Sequence, residues 1–227
     1  MNRLVTFSVV TVLSGVLIAA AVAQDKKEIR LAHHMPLQNH MHTSAEQLAQ
    51  YFNQRSKDVQ IKVFGGGQLY TERALVQSVE TGAIEIAFTT ASWWGGTTPS
   101  IHVLNAPMLL TSYAKARAAI SGKMGNALET ELEKNDVKII GWLDSGVDAG
   151  LVNTVKPIRT IDDFKGLRIR TAFPMTVAMF KDLGAGSVVM SSSEVYMALQ
   201  RGTFDGTHTG APSVTDRKWI EVTKYAI

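Results

Sequence analysis

One arginine, Arg170, stands where this chain could hold an anion. Leu167, Ile169 and Thr171 alternate with Arg168 and Arg170 at the two-residue period of a β-strand. Arg170 therefore falls at the strand's carboxyl end, the place where open α/β sheets bind their ligands. A guanidinium presents a planar fork of donors that suits a carboxylate better than any other side chain does. The chemistry on offer is capture of an organic acid without covalent change; a structural salt bridge is the plainer alternative. Arg73 is a second candidate, one step into the helix expected after Gly65-Gly66-Gly67, although a surface pairing with Glu72 or Glu80 would account for it.

Other chemistries fit less well. His33, His34, His40 and His42 crowd one short window and invite a metal reading. Zinc needs three or four ligands on fixed elements, and His33 and His34 are strand neighbours that point to opposite faces. No metal is expected, and His34, at its strand's end, reads better as a polar residue of a cleft. Gly65-Gly66-Gly67 is followed by Gln68-Leu69 where a phosphate cradle needs a Lys-Ser/Thr pair. Gly184-Ala185-Gly186 follows a helix rather than a strand, the wrong context for a dinucleotide fingerprint. Both read as turns, and no cofactor is expected. There is no G-x-S-x-G elbow, no H-E-x-x-H and no cysteine, so no catalytic residue is assigned. A secreted hydrolase or lyase would have only His34 with Asp148 to work with. Trp93 and Trp94 follow the strand ending at Thr90; such pairs usually pack in a core, but on this loop one could wall a ligand.

The elements that must position these residues alternate between strand and helix. Strands are expected at Ile29–His34, Val59–Phe64, Ile84–Thr90, Val137–Leu143, Leu167–Thr171 and Ser187–Met190. Thr43 with Glu46, and Ser191 with Glu194, have capping-box spacing for two helices, and Thr71 can cap a third that stops at Gly82. A further helix is expected around Ala114–Lys134. Pro174 suits a first helical turn and Gly184 a C-terminal cap. Strands alternating with helices mean an α/β fold with mainly parallel sheets, and Asp144–Thr154 is the expected hinge between two lobes.

Several of these pieces, in this order and spacing, resemble the extracytoplasmic solute-binding proteins of TRAP (tripartite ATP-independent periplasmic) transporters. They are GLRIR at 166–170, SEVYMALQRG at 193–202, the Phe204-Asp205-Gly206 turn, GGGQLYTERALVQSVETGAIEIAF at 65–88 and KPIRTIDDFKGL at 156–167. The resemblance covers nearly everything after residue 28. It implies a two-lobed periplasmic-binding-protein-like fold, with a small organic acid closed between the lobes and passed to membrane subunits. It implies binding roles at the positions of His34 and Arg73, and it adds weight to Arg170. The full expected ligand set is Arg170, Arg73, His34, Thr90, Trp93, Phe173 and Thr209. This chain departs from the family in lacking an arginine at Val147–Leu151, in having Ser192 where many members carry an aromatic, and in having Thr209 where many carry asparagine. These changes put the ligand's identity, though not the Arg170 anchor, beyond transfer. A receptor serving an ATP-driven importer or a sensor kinase is the alternative use of such a binder.

Composition and the two ends complete the picture. The net charge is +3, with 23 basic and 20 acidic residues scattered along the chain, so no nucleic-acid partner is expected. Asn2-Arg3, an apolar run to Val22 and Ala21-Val22-Ala23 describe a secretory signal peptide cleaved after Ala23 and a periplasmic location. An uncleaved anchor is the alternative, weakened by Thr6, Ser8, Thr11 and Ser14. The expected division is signal peptide 1–23, first lobe 24–146 and second lobe 147–227, with the protein a monomer. The last residues read as a helix end running into a strand without a closing cap. Members of the resembled family continue beyond this point and cross back to the first lobe, so the C-terminal part of the fold is expected to be missing.

Overall fold

The computed structural model describes residues 26–144 and 150–227. The expected signal peptide, and the middle of the expected hinge with Asp148, lie outside the described residues.

In the first lobe, β1 (Lys27–His33), β2 (Val59–Phe64) and β3 (Ile86–Phe88) form a parallel sheet in the order β2-β1-β3. The helices α1 (His40–Asn53) and α2 (Glu72–Glu80) make the crossovers. Side chains of successive strand residues point to opposite faces, and β1 uses both. Leu31 packs with Ala45, Ala49 and Ile61 on one face; Ala32 packs with Leu75 and Ile84 on the other. The Trp-Gly-rich loop is two 3₁₀ turns, Ala91–Gly96 and Pro99–Asn105. The helices α3 (Tyr113–Ile120) and α4 (Lys123–Glu133) follow, and Leu128 and Leu132 close a cluster on Val76, Trp94, Ile101 and Val137.

Local expectations fail here in four places, each for a physical reason. The helix expected over 114–134 breaks at Ser121-Gly122, where the chain turns so tightly that a Cβ on Gly125 would lie 1.8 Å from the Ile120 carbonyl oxygen. Only glycine fits there. α1 starts earlier than Thr43, because the Asn39 side chain accepts from Met41 N at 2.9 Å and caps the helix itself. The residues at 137–143 form no strand; Val137, Ile139 and Trp142 pack on the apolar cluster instead. The strand expected at Ile84–Thr90 pairs only over Ile86–Phe88: on one side β1, its partner, ends at His33, and on the other the Arg30 amide donates to the Glu85 side chain.

In the second lobe, β4 (Gly150–Asn153), β5 (Arg168–Thr171), β6 (Gly186–Val189), β7 (Gly206–Thr209) and β8 (Tyr225–Ala226) are ordered β6-β5-β7-β4-β8. β5 runs parallel to both β6 and β7, while β4 is antiparallel to β7 and β8. The helix α5 (Pro174–Asp182) begins with proline as expected, and Gly184 at φ 79° ends it in the left-handed region. Its Phe180 joins Leu151, Leu167 and Ile169 in a buried cluster. The helix α6 (Val195–Gln200) starts later than its expected cap, because Ser191 Oγ bonds Ser193 Oγ. Trp219, beyond α7 (Ala211–Asp216), closes a second cluster on Val195, Leu199 and Phe204. The architecture is the expected pair of α/β lobes.

Hydrogen bonds join the two lobes along a seam. Gln38 Nε2 donates to the Asp216 carbonyl at 2.9 Å, and Asn39 Nδ2 donates to the Asp216 carboxylate.

Candidate functional site

Arg170 is 1% exposed, although it lies on a four-residue strand. Its neighbour two positions back, Arg168, leaves the sheet at the other end and pairs with Asp205, Nη2 to Oδ1 at 2.6 Å. Arg170 instead turns inward, where Nε donates to the Met190 carbonyl at 2.9 Å and Nη2 reaches both that carbonyl and Ser192 Oγ. Nη1 lies 3.5 Å from Thr207 Oγ1, and the guanidinium carbon stands 5.7 Å from the centre of the Trp219 ring. A fork held on so many sides is pre-positioned, and its charge has little freedom to move toward solvent.

Glu72 faces it from the first lobe. It opens α2, is 2% exposed, and takes Thr90 Oγ1 at 3.0 Å on Oε1 and Ser192 Oγ at 3.3 Å on Oε2. His34 Nε2 lies 3.0 Å from Oε1. Burial works against the carboxylate, but the hydrogen bond and charge of His34, a hydrogen bond from Trp93 and the charge of Arg170 outweigh it and hold the pKa at about 2. Glu72 is thus an ionised carboxylate reaching from one lobe to the other. It was expected only as a surface partner of Arg73. The structure reverses the two: Arg73 is exposed and Glu72 is buried. Their side chains diverge by about 100° around the helix, and the face that buries Leu75 and Val76 carries Glu72 inward with it. That spacing of three and four residues was the signal in the sequence.

Around this pair lies a cavity of about 40 Å³, lined by His34, Glu72 and Thr90 of the first lobe and by Arg170, Phe173, Ser192, Thr209 and Arg217 of the second. Of the expected set, Arg170, His34, Thr90, Phe173 and Thr209 come together here. Arg73 does not, and Trp93 packs against the apolar cluster of the first lobe, lining neither this cavity nor the larger groove beside it. Trp94 is buried in the same cluster and lines the groove. Arg217, at the C-terminal cap of α7, was not among the expected residues. It follows a polar stretch without periodicity, so nothing local marked it.

The groove has a volume of about 720 Å³ and shares Met41, Thr90 and Phe173 with the cavity. It runs along β3, an edge of the first sheet, between apolar residues such as Ile101, Ile139 and Trp142. Size alone would favour it as a ligand site, yet a bare strand edge with apolar walls is suited to covering by main chain. The charged side chains Glu72, Arg170 and Arg217 converge in the small cavity.

The histidine cluster disperses. His33 Nε2 and His42 Nδ1 meet at 3.0 Å, His40 Nε2 lies 3.3 Å from the Asp144 carbonyl, and His34 belongs to Glu72. Among the described residues no three ligating side chains gather at one point. His208, on the opposite face of β7 from Thr207 and Thr209, meets the rings of Phe173 and Phe180 edge-on at 5.9 and 5.6 Å.

Known proteins share both the sequence and the fold. The family model described as bacterial extracellular solute-binding protein, family 7, matches residues 31–227. The 2,3-diketo-L-gulonate-binding periplasmic protein YiaO of Escherichia coli K12 is 28% identical over 201 residues, covering 88% of this chain and 61% of that protein. The C4-dicarboxylate-binding periplasmic protein DctP of Rhodobacter capsulatus is 29% identical over 183 residues, covering 80% of this chain and 54% of its own. A TRAP periplasmic solute binding protein from Desulfovibrio salexigens, solved with bound orotic acid, superposes with a TM-score of 0.82 at 30% identity, covering 88% of this chain and 65% of the other. The chain thus spans about three fifths of the length of such relatives. With the match running from β1 to the last residue, the chain belongs to family 7 of the bacterial extracellular solute-binding proteins.

Proposed function

We propose that this protein is a periplasmic solute-binding protein that captures a small organic acid between its lobes and delivers it to the membrane subunits of a TRAP transporter. The observation that carries this reading is the buried Arg170 at the carboxyl end of β5, lining a cavity to which both lobes contribute. Arg170 would anchor the carboxylate, with His34, Thr90, Phe173 and Thr209 around the rest of the molecule. The protein itself does no chemistry. Capture is driven by closing charge and hydrogen bonds away from water, where each is worth more than at a surface. A cavity of about 40 Å³ is little larger than the share of liquid taken by one water. The lobes must therefore part to admit an acid, as hinged two-lobe binders do. Relatives named as periplasmic support the location, and cleavage after Ala23 with lobes at 24–146 and 147–227 completes the proposal.

A thermal-shift screen of mono- and dicarboxylates, keto acids and aromatic acids on the mature full-length protein tests it. At least one acid raises the melting temperature and is recovered unchanged. Indifference to every acid, or turnover of a bound one, overturns the reading.

A further inference from the structure

Two guanidinium groups line the small cavity, and only one has so far been given a task. Arg170 is held by Met190, Ser192 and Thr207. Arg217 comes from the C-terminal cap of α7, and its Nη2 donates to Met35 Sδ at 3.5 Å. A thioether is a weak acceptor and carries no charge to balance a cation. Among the described residues no carboxylate lies within ion-pair distance of Arg217. Glu72 is occupied by His34, Thr90 and Ser192, and the Asp216 carboxylate by Asn39. Burial pushes the Arg217 pKa below its ordinary value, and Glu72 and Asp216 only partly oppose this from a distance.

A partly desolvated cation without a close partner is a cost to the folded state. Such costs persist where function uses them. The balance of charge around the cavity points the same way. Arg170, Arg217 and His34, whose charge acts on Glu72, face the carboxylate of Glu72 and, just outside the lining, that of Asp216, so one positive charge is left over. A ligand with one negative charge neutralises this excess, whereas a dicarboxylate would bring a second charge against Glu72. The hydroxyl groups of Thr209 and Ser213 line the same space and suit a ligand that also carries hydroxyl or keto oxygens.

We propose that Arg217 is a second ligand-binding residue, which meets the carboxylate together with Arg170, and that it sets the ligand class as singly charged hydroxy or keto acids. This rests on the reading of the cavity as an organic-acid site.

The test uses the mature full-length protein with Arg217→Met and Arg217→Lys variants. The probes are D-gluconate, lactate and pyruvate as singly charged acids and succinate as the doubly charged one. Calorimetry gives affinities, and melting curves without ligand give stability. The expected result is that a singly charged probe binds the parent protein more tightly than succinate does. Arg217→Met weakens that binding by about 30-fold or more, and Arg217→Lys recovers part of it. Removing the partly desolvated charge also raises the melting temperature of the ligand-free Arg217→Met protein by about 2 °C or more. A merely structural arginine would lower it. Unchanged affinity in Arg217→Met, or a ligand-free melting temperature that falls, overturns the role of Arg217 and leaves the proposed function standing. Tighter binding of succinate overturns the ligand class. No response of the parent protein to any acid overturns the proposed function and this inference together.

Discussion

At the scale of single residues, charge in a buried place decides the behaviour of this protein. Arg170 is enclosed among Met190, Ser192, Thr207 and the Trp219 ring, so a carboxylate bound to it in a closed cleft would be fully desolvated. Taking the cation away leaves the ligand's charge unbalanced, a loss of roughly 2–5 kcal/mol. Arg170→Ala should weaken acid binding by about 30-fold or more, with Arg170→Lys restoring only part. An unchanged dissociation constant in the alanine variant would remove Arg170 from the site. Two histidines give a second prediction. Burial, and for His33 also the nearby His42 and His34, lowers the pKa of His33 to about 4. Burial followed by the charge of Arg170 does the same for His208. In the unfolded chain both titrate near 6.5, so below that pH the unfolded state binds protons that the folded state refuses. Stability should fall between pH 6.5 and about 4 and then lose no more from this source. Glu72, held at about 2, contributes to acid loss only below its ordinary 4.5. Urea midpoints taken from pH 7.5 to 4.5 should therefore drop steadily, and less steeply in His208→Gln. A flat profile would contradict the burial of both rings.

At the scale of elements, the seam between the lobes depends on how one helix begins. Asn39 does two things at once: its oxygen caps α1 through Met41 N, and its amide nitrogen donates to Asp216 across the seam. Substitutions can separate these roles. Asn39→Ala loses both, costing about 1 kcal/mol for the cap alone. Asn39→Asp keeps an acceptor for Met41 N but sets a second carboxylate against that of Asp216. Urea denaturation should find Asn39→Asp destabilised at pH 7 and recovering relative to the parent as the pH falls toward 4, where one carboxylate of the pair takes a proton. Asn39→Ala should show no such recovery. Equal behaviour of the two variants across that range would mean that the contact with Asp216 carries no weight. The capping boxes at Thr43 and Ser191 show why such details escape a local reading. Spacing identifies residues able to cap, but Asn39 reached the end of α1 first, and Ser191 found Ser193 instead.

At the scale of the whole molecule, the first sheet ends at β3, and the groove of about 720 Å³ runs along that edge. Strand edges of this kind recruit further strands, from the same chain or from another. Relatives matched by this chain are longer than it, with 61% of the Escherichia coli protein covered. Residues 24–227 expressed alone should therefore self-associate through that edge as concentration rises. Size-exclusion chromatography with light scattering would show it. A monomeric species with a sharp melt and full acid affinity would mean that the groove needs no cover. Glu72 and Ser192 bridge the lobes at the cavity, so the parting of the lobes proposed above would break a charged hydrogen bond that closing restores.

The sequence alone determined what rests on local physics. Alternation in Leu167–Thr171 made β5 and set Arg170 at a strand end, and Pro174 and Gly184 bounded α5, whereas the two lobes were implied by the family resemblance that the order of motifs carries. Both elements depend on backbone geometry or on a period carried by neighbouring residues. Tertiary structure decided which charges meet. Glu72 turned inward and Arg73 outward because packing of Leu75 and Val76 set the rotation of α2. Arg217 reached the cavity because β7 lies beside β5 and α7 follows it back to the seam. The residues at 137–143 carry a strand's pattern without a ladder, because a strand exists only when a partner stands at its edge. Local pattern names the groups able to bind an acid; only the folded arrangement brings them within reach of the same one.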